Sequence, residues 1–289
     1  MTASYPSLAA KLDHVLVATD FSAASKEAVL YATAIARRHN SKLFIAHVVS
    51  SRSESALMDA WRAGQAEIIE QLLANRLDGI EHELVVKSGQ VEEALSRLIA
   101  EKGIGLVVVG TRGRTGVLKF LLGSVAENIF RRARCPVLTV GPNIAGQNLE
   151  IAPERILATT GFAAHSVFGV RYAIWLAQSL HTSIALLHVV TGGGELSSDA
   201  KAQTMAERLG KLRSLIPANV GLASEPVVFV EFGSAPEQIL KIATAWNANL
   251  IVLGLRNVQE ASRDGTTWAR AYEIVCKATC PVLTVRSPE

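Results

Sequence analysis

The hexapeptide CPVLTV stands at 135–140 and again, letter for letter, at 280–285. Three further matches keep its order. Val15-Leu16-Val17-Ala18-Thr19 is answered by Ile156-Leu157-Ala158-Thr159-Thr160, His47-Val48-Val49 by His188-Val189-Val190, and Val108-Val109-Gly110 by Val252-Leu253-Gly254. The offset is 141 for the first two pairs, 144 at the glycine and 145 at CPVLTV. A slowly growing offset in constant order marks a duplicated domain with small insertions, which restricts the chain to two copies of one fold. The repeating units run from about 12 to 142 and from about 153 to 287. Between them GPNIAGQNLEIAP is rich in Gly, Pro and Asn, the composition of a linker. The domains are therefore expected at 1–145 and 151–289, and 289 residues is the right length for two.

Each unit reads as strands alternating with helices. In the first, an apolar strand at 14–19 leads into a Ser-started helix, DFSAASKEAVLYATAIARRHN, with apolar positions at helical spacing. A strand at 43–49, a polar-faced helix at about 54–77, an alternating strand at 80–87 and a helix at about 90–102 follow. A wholly apolar strand at 104–109, a helix at 124–133 and the strand PVLTV complete the unit. This alternation specifies right-handed crossovers and an α/β fold: two tandem, doubly wound, mostly parallel five-stranded sheets. Ligands of such sheets bind beyond the carboxyl ends of the strands, where the strand order reverses. Site residues are therefore expected just after strands one and four.

The unusual residues stand there. After strand four the first unit reads VVVGTRGRTGVLKFLLGSVAENIF, with Gly110, Gly113 and Gly116 in seven residues and Gly123 directly before a helix. Glycine lets backbone N–H groups approach an anion closely. Ser124 opens a helix whose free N–H groups and dipole make a ready phosphate site. Arg112, Arg114 and Lys119 lie within or beside the loop, placed either to neutralise phosphate or to face solvent. Neither a G-x4-G-K-[ST] loop nor a G-x-G-x-x-G turn is present.

The spacing Gly-x2-Gly-x9-Gly-Ser at Gly110, Gly113, Gly123 and Ser124 resembles the nucleotide signature of the universal stress protein family. The opening strand VLVATDFS with its terminal Asp, the HVV of strand two and the closing CPVLTV are similar to that family in order and spacing, over nearly the whole of both units. The resemblance implies ATP in the first unit, with adenosine against the ends of strands one and two, phosphates on the glycine loop, and Mg2+ or Mn2+ held through the phosphates. It carries over to Ala18, Thr19, Asp20, Val48, Val109, Gly110, Gly113, Gly123, Ser124 and Val125, to which the reading of the loop adds Arg112. It also implies pairing through the last strand, within one chain or in a homodimer, and a regulatory protein partner in a stress response. Two of these residues have purely local alternatives. Ser124 with Glu127 forms a capping box, and Asp20 can serve the start of helix one.

The second unit keeps the scaffold and changes the chemistry. Gly161 replaces Asp20, Asn257 replaces Gly113, and Trp268-Ala269 stands where the first unit has Gly123-Ser124. Of the five positions only Gly254 remains. An indole there is expected to fill the phosphate space, and alanine cannot cap. One nucleotide per chain is the expectation, with the second unit a structural support.

Other classes fall away on composition. A net charge of +3 is too small to propose nucleic-acid binding, and Arg131, Arg132 and Arg134 read as cations complementing a helix C-terminus. No run reaches the roughly 18 apolar residues of a membrane helix. The segment MTASYPSLAAKLDH lacks an apolar core behind basic residues, and three cysteines form no disulfide framework, so a cytoplasmic protein is expected. His47 and His188 lie in apolar runs and read as satisfied core histidines, and Cys135, Cys276 and Cys280 as structural thiols. No nucleophile-base-orienter set is visible, so at most slow hydrolysis driven by positioning is expected.

Overall fold

The computed structural model describes residues 12–20, 22–49, 64, 67, 77–111, 124–141, 143–144, 153–192, 197–218, 220–256 and 265–287. They fall into two compact units, one ending at Val140 and the other beginning at Gly141.

In the first unit the described elements are β1 (His14–Ala18), α1 (Ala23–His39), β2 (Lys42–Val49), β3 (His82–Ser88), α2 (Val91–Glu101), β4 (Leu106–Gly110), α3 (Ser124–Arg132) and β5 (Val137–Val140). The strands are parallel and ordered β3-β2-β1-β4-β5. The order reverses between β1 and β4, which are hydrogen-bonded neighbours with Ala18 opposite Val109. That is the switch point the alternation of strands and helices predicts. Val15, Leu16 and Val17 of β1 and Val107 and Val108 of β4 are fully buried, as a sheet covered on both faces requires. The expected helix at 54–77 lies almost wholly outside the described residues.

Helix α1 shows why the chain turns where it does. Ser22 caps it, its side chain accepting from the Ser25 N–H, and Asn40 ends it in the left-handed conformation. Ala28, Val29, Ala32, Thr33 and Ala36 recur at helical spacing and are all buried against the sheet. Arg131 and Arg132 occupy the last turn of α3 and are exposed, in keeping with cations at a helix C-terminus.

The second unit repeats the plan: β6 (Arg155–Thr159), α4 (Ala164–Leu180), β7 (Ser183–Val190), α5 (Ser198–Ser214), β8 (Val227–Phe232), α6 (Ala235–Ala245), β9 (Leu250–Leu255), α7 (Gly265–Lys277) and β10 (Val282–Arg286). Its strands are parallel in the order β8-β7-β6-β9-β10. Here α4 crosses β9 at glycine on both sides. A Cβ on Gly169 would stand 2.6 Å from the Gly254 nitrogen, and one on Gly254 would stand 2.1 Å from the His165 carbonyl oxygen.

Candidate functional site

In the first unit, β1, β2 and β4 deliver their carboxyl ends to one edge of the sheet. The registers Ala18 with Ala46 and Ala18 with Val109 bring Ala18, Thr19 and Asp20 to that edge beside Val48 and beside Val109 and Gly110. Gly110 is the last residue of β4, opposite Val140, and the next N–H, of Thr111, donates to the Val140 carbonyl at 3.0 Å. Ser124 is the first residue of α3, with Val125 half-buried and Glu127 in the same turn. The structure thus gathers Ala18, Thr19, Asp20, Val48, Val109 and Gly110 at the switch-point edge. Arg112, Gly113 and Gly123, with Arg114, Gly116 and Lys119, lie outside the described residues.

The exit of β1 is tied down by groups whose role the sequence did not reveal. His47 donates its Nδ1–H to the Thr19 carbonyl at 2.7 Å, and the Thr19 N–H donates to the Ala46 carbonyl at 2.9 Å. The Thr19 and Ser25 hydroxyls lie 3.1 Å apart. His47 is thus a satisfied core histidine, and it also fixes the backbone from which Asp20 projects. The repeat was the available signal: two histidines at one position of two copies imply a common task, and His188 donates to the Thr160 carbonyl at 2.8 Å in the same way.

Asp20 Oδ1 accepts from the Ser22 N–H at 3.0 Å, so Asp20 organises the turn into α1. The helix-starting alternative therefore holds for this residue, and one carboxylate oxygen is already engaged locally. Beside Gly110, the Thr111 hydroxyl is buried and has no hydrogen-bond partner among the described residues. A buried hydroxyl left unpaired costs free energy, so such an orphan at a strand exit calls for a partner.

In the second unit the corresponding turn is built differently. With Asp20 replaced by Gly161 and Ser22 by Ala163, no side chain caps α4. Ser166 Oγ accepts from the Gly161 N–H at 3.2 Å, and Thr160 Oγ1 accepts from the Phe162 N–H at 2.9 Å. Trp268 lies inside α7 with its ring centroid 5.0 Å from that of Tyr272. The helix begins at Gly265, so the lost Gly-Ser pair reflects a change in where the helix starts as well as in what stands there. Gly254 is explained by packing: no side chain fits between β9 and α4.

Burial holds the His188 imidazole below its ordinary value, with Arg208 and Lys211 adding to the effect and the bond to Thr160 opposing it. The folded chain then binds fewer protons at this site than the unfolded chain, so stability falls as pH drops through about 6.5, the free imidazole's range. Urea midpoints between about pH 8 and pH 5 should decline. His188→Asn, which keeps a donor near the Nδ1 position, should flatten that decline. An unaltered slope would contradict the assignment. Burial also pushes the Cys135 thiol up to about 11 and the Cys280 thiol up to about 12, and Cys276 is buried. The Cys135 and Cys280 thiols stay protonated at neutral pH, as structural thiols do.

Among the described residues no three His, Cys, Asp or Glu side chains cluster in a way that could hold a metal ion, and no helix is long and apolar enough to cross a membrane.

Two copies of a parallel, doubly wound α/β domain, each with an exit edge at its switch point, define the class. Comparison with known proteins gives the family. The model of the universal stress protein family matches residues 11–141 and again 153–286, and the chain belongs to that family as a tandem member. A universal stress protein homologue of Staphylococcus haemolyticus is 31% identical over 137 residues, covering 44% of this chain and 83% of its own. A universal stress protein of Methanocaldococcus jannaschii is 29% identical over 139 residues, covering 44% of this chain and 80% of its own. The solved structure of a universal stress protein from Archaeoglobus fulgidus is alike over 96% of this chain and 99% of that one, with a TM-score of 0.65 at 21% identity, a likeness of fold.

Proposed function

We propose that the first unit holds one ATP and that the protein is a nucleotide-dependent regulator in a cytoplasmic stress response, acting through a protein partner. The carrying observation is the difference between the two copies. On one scaffold, the first keeps Asp20 together with Gly110, Gly113, Gly123 and Ser124, and the second keeps only the glycine that packing demands. The residues present fit the ligand. Ala18, Thr19, Asp20 and Val48 offer an edge for adenosine, and Gly110, Arg112, Gly113, Gly123, Ser124 and Val125 offer backbone and charge for phosphates. The orphaned Thr111 hydroxyl beside Gly110 supplies a further polar partner. A divalent cation, Mg2+ or Mn2+, would be held through the phosphates, because Asp20 already serves the turn at Ser22 through one of its carboxylate oxygens. The cation would supply charge neutralisation. Asp20 and His47 at this edge are engaged with the Ser22 N–H and the Thr19 carbonyl, which favours binding over turnover. Pairing of chains as a homodimer belongs to the same proposal.

Denaturing the purified protein and chromatographing the supernatant tests it. ATP with intact phosphates is the expected release. ADP or AMP would instead indicate a slow hydrolase. Nothing released, with no binding of titrated ATP, would leave a nucleotide-independent scaffold.

A further inference from the structure

The second unit has lost the glycine pattern, yet the exit edge of β6 and β7 is built in a way that packing alone does not explain. Phe162 has φ 64°, in the left-handed region. The other described non-glycine residues there are Asn40, His181 and Asn247, and each ends a helix, where that conformation is ordinary. Phe162 precedes a helix instead, and a bulky side chain in this region is strained. Strain of this kind persists only where the surroundings impose it. Here the Phe162 N–H is held by Thr160 Oγ1, and the ring lies 4.4 Å from the His188 imidazole at an interplanar angle of 39°. His188 is itself fixed by its bond to the Thr160 carbonyl. Arg208, from α5, has its guanidinium carbon 5.9 Å from the Phe162 ring centroid. Its Nε is buried without a hydrogen-bond partner among the described residues. On the same helix Glu207 pairs with Lys211 at 2.9 Å and lies 3.7 Å from Arg208 Nη1, which leaves the Nε of Arg208 as its unpaired donor.

A fixed imidazole, a guanidinium with an orphaned donor and a strained ring against both describe an aromatic slot with the protein's own side chain in it. We propose that the second unit carries a binding slot for a planar aromatic anion, with Phe162 as its built-in occupant. When Phe162 swings out, an incoming ring stacks on His188 and its negative group meets Arg208. Leaving the left-handed conformation relieves the strain at Phe162, which offsets part of the ring contact it gives up. The slot is separate from the ATP edge of the first unit and uses none of its residues.

Naphthalene sulfonate, a planar aromatic anion, is a suitable probe for titration calorimetry on the full chain with one equivalent of ATP per chain. Phe162→Gly removes the ring at a position whose φ glycine accepts, and it should bind the probe at least tenfold more tightly than the unaltered protein. Adding Arg208→Gln should return the affinity to the unaltered level. Phe162→Asn, which also tolerates positive φ and also lacks the ring, should behave as Phe162→Gly does and guards against a folding defect in either variant. Folded variants that bind no more tightly than the unaltered protein would overturn the proposal. So would a gain in affinity that survives Arg208→Gln.

Discussion

Gly254→Val is expected to unfold the second unit. The Cβ of any side chain at 254 would meet the His165 carbonyl oxygen at 2.1 Å and the Ser166 Cα at 2.8 Å, both backbone atoms of the α4 approach. A flexible side chain could give way, but a helix backbone docked on β9 cannot do so without moving α4 bodily. Overpacking a tight core ordinarily costs about 1–3 kcal/mol, and a backbone clash this short belongs at or beyond the upper end. The melting temperature of the second unit should fall on the order of 10 °C or more, or its transition should vanish. Gly161→Ala is the matched control, because a Cβ there has nothing within 4 Å, and its stability should change by no more than about 0.5 kcal/mol. Scanning calorimetry that found the two variants equally stable would refute the packing account of Gly254.

Replacing Gly113 and Gly123 together with valine should abolish ATP binding while leaving both units folded. The reason is chemical. In the proposed site backbone N–H groups would meet the phosphate oxygens, and a branched side chain at either glycine would hold the phosphate away from them. Loss of those contacts should weaken binding by at least about a hundredfold, on the order of 2.7 kcal/mol. Calorimetric titration of the folded double variant reads the result directly, and unchanged affinity would sink the site assignment.

The two glycine experiments mark the boundary of what the sequence could say. The repeat and the periodicities placed the strands, the switch point and the capped start of α1 at Ser22, because those follow from local pattern and order. They could not say that Gly254 is held by a helix crossing, since the residue it meets, His165, is remote in sequence. The same fact changes how Gly110 is read. Gly110 holds the same strand-end position in the first unit and is the glycine that both copies share. The nucleotide signal therefore rests on Gly113, Gly123 and Ser124 more than on the glycine both copies share. The turn that Asp20 closes onto Ser22 is local and stood among the readings of the sequence, whereas pattern could not reveal that Phe162 enters the left-handed region, since that depends on a three-dimensional partner. The positions of Trp268 and Ala269 were counted back from Cys280. That count located the residues and missed that α7 begins earlier, at Gly265.

The central claim is one nucleotide per chain, in the first unit. Its most direct test is the stoichiometry of ATP binding to the nucleotide-free protein by titration calorimetry in the presence of Mg2+. One ATP per chain is predicted, falling to none when Gly113 and Gly123 are both valine. Two per chain, or one that survives that double substitution, would contradict it.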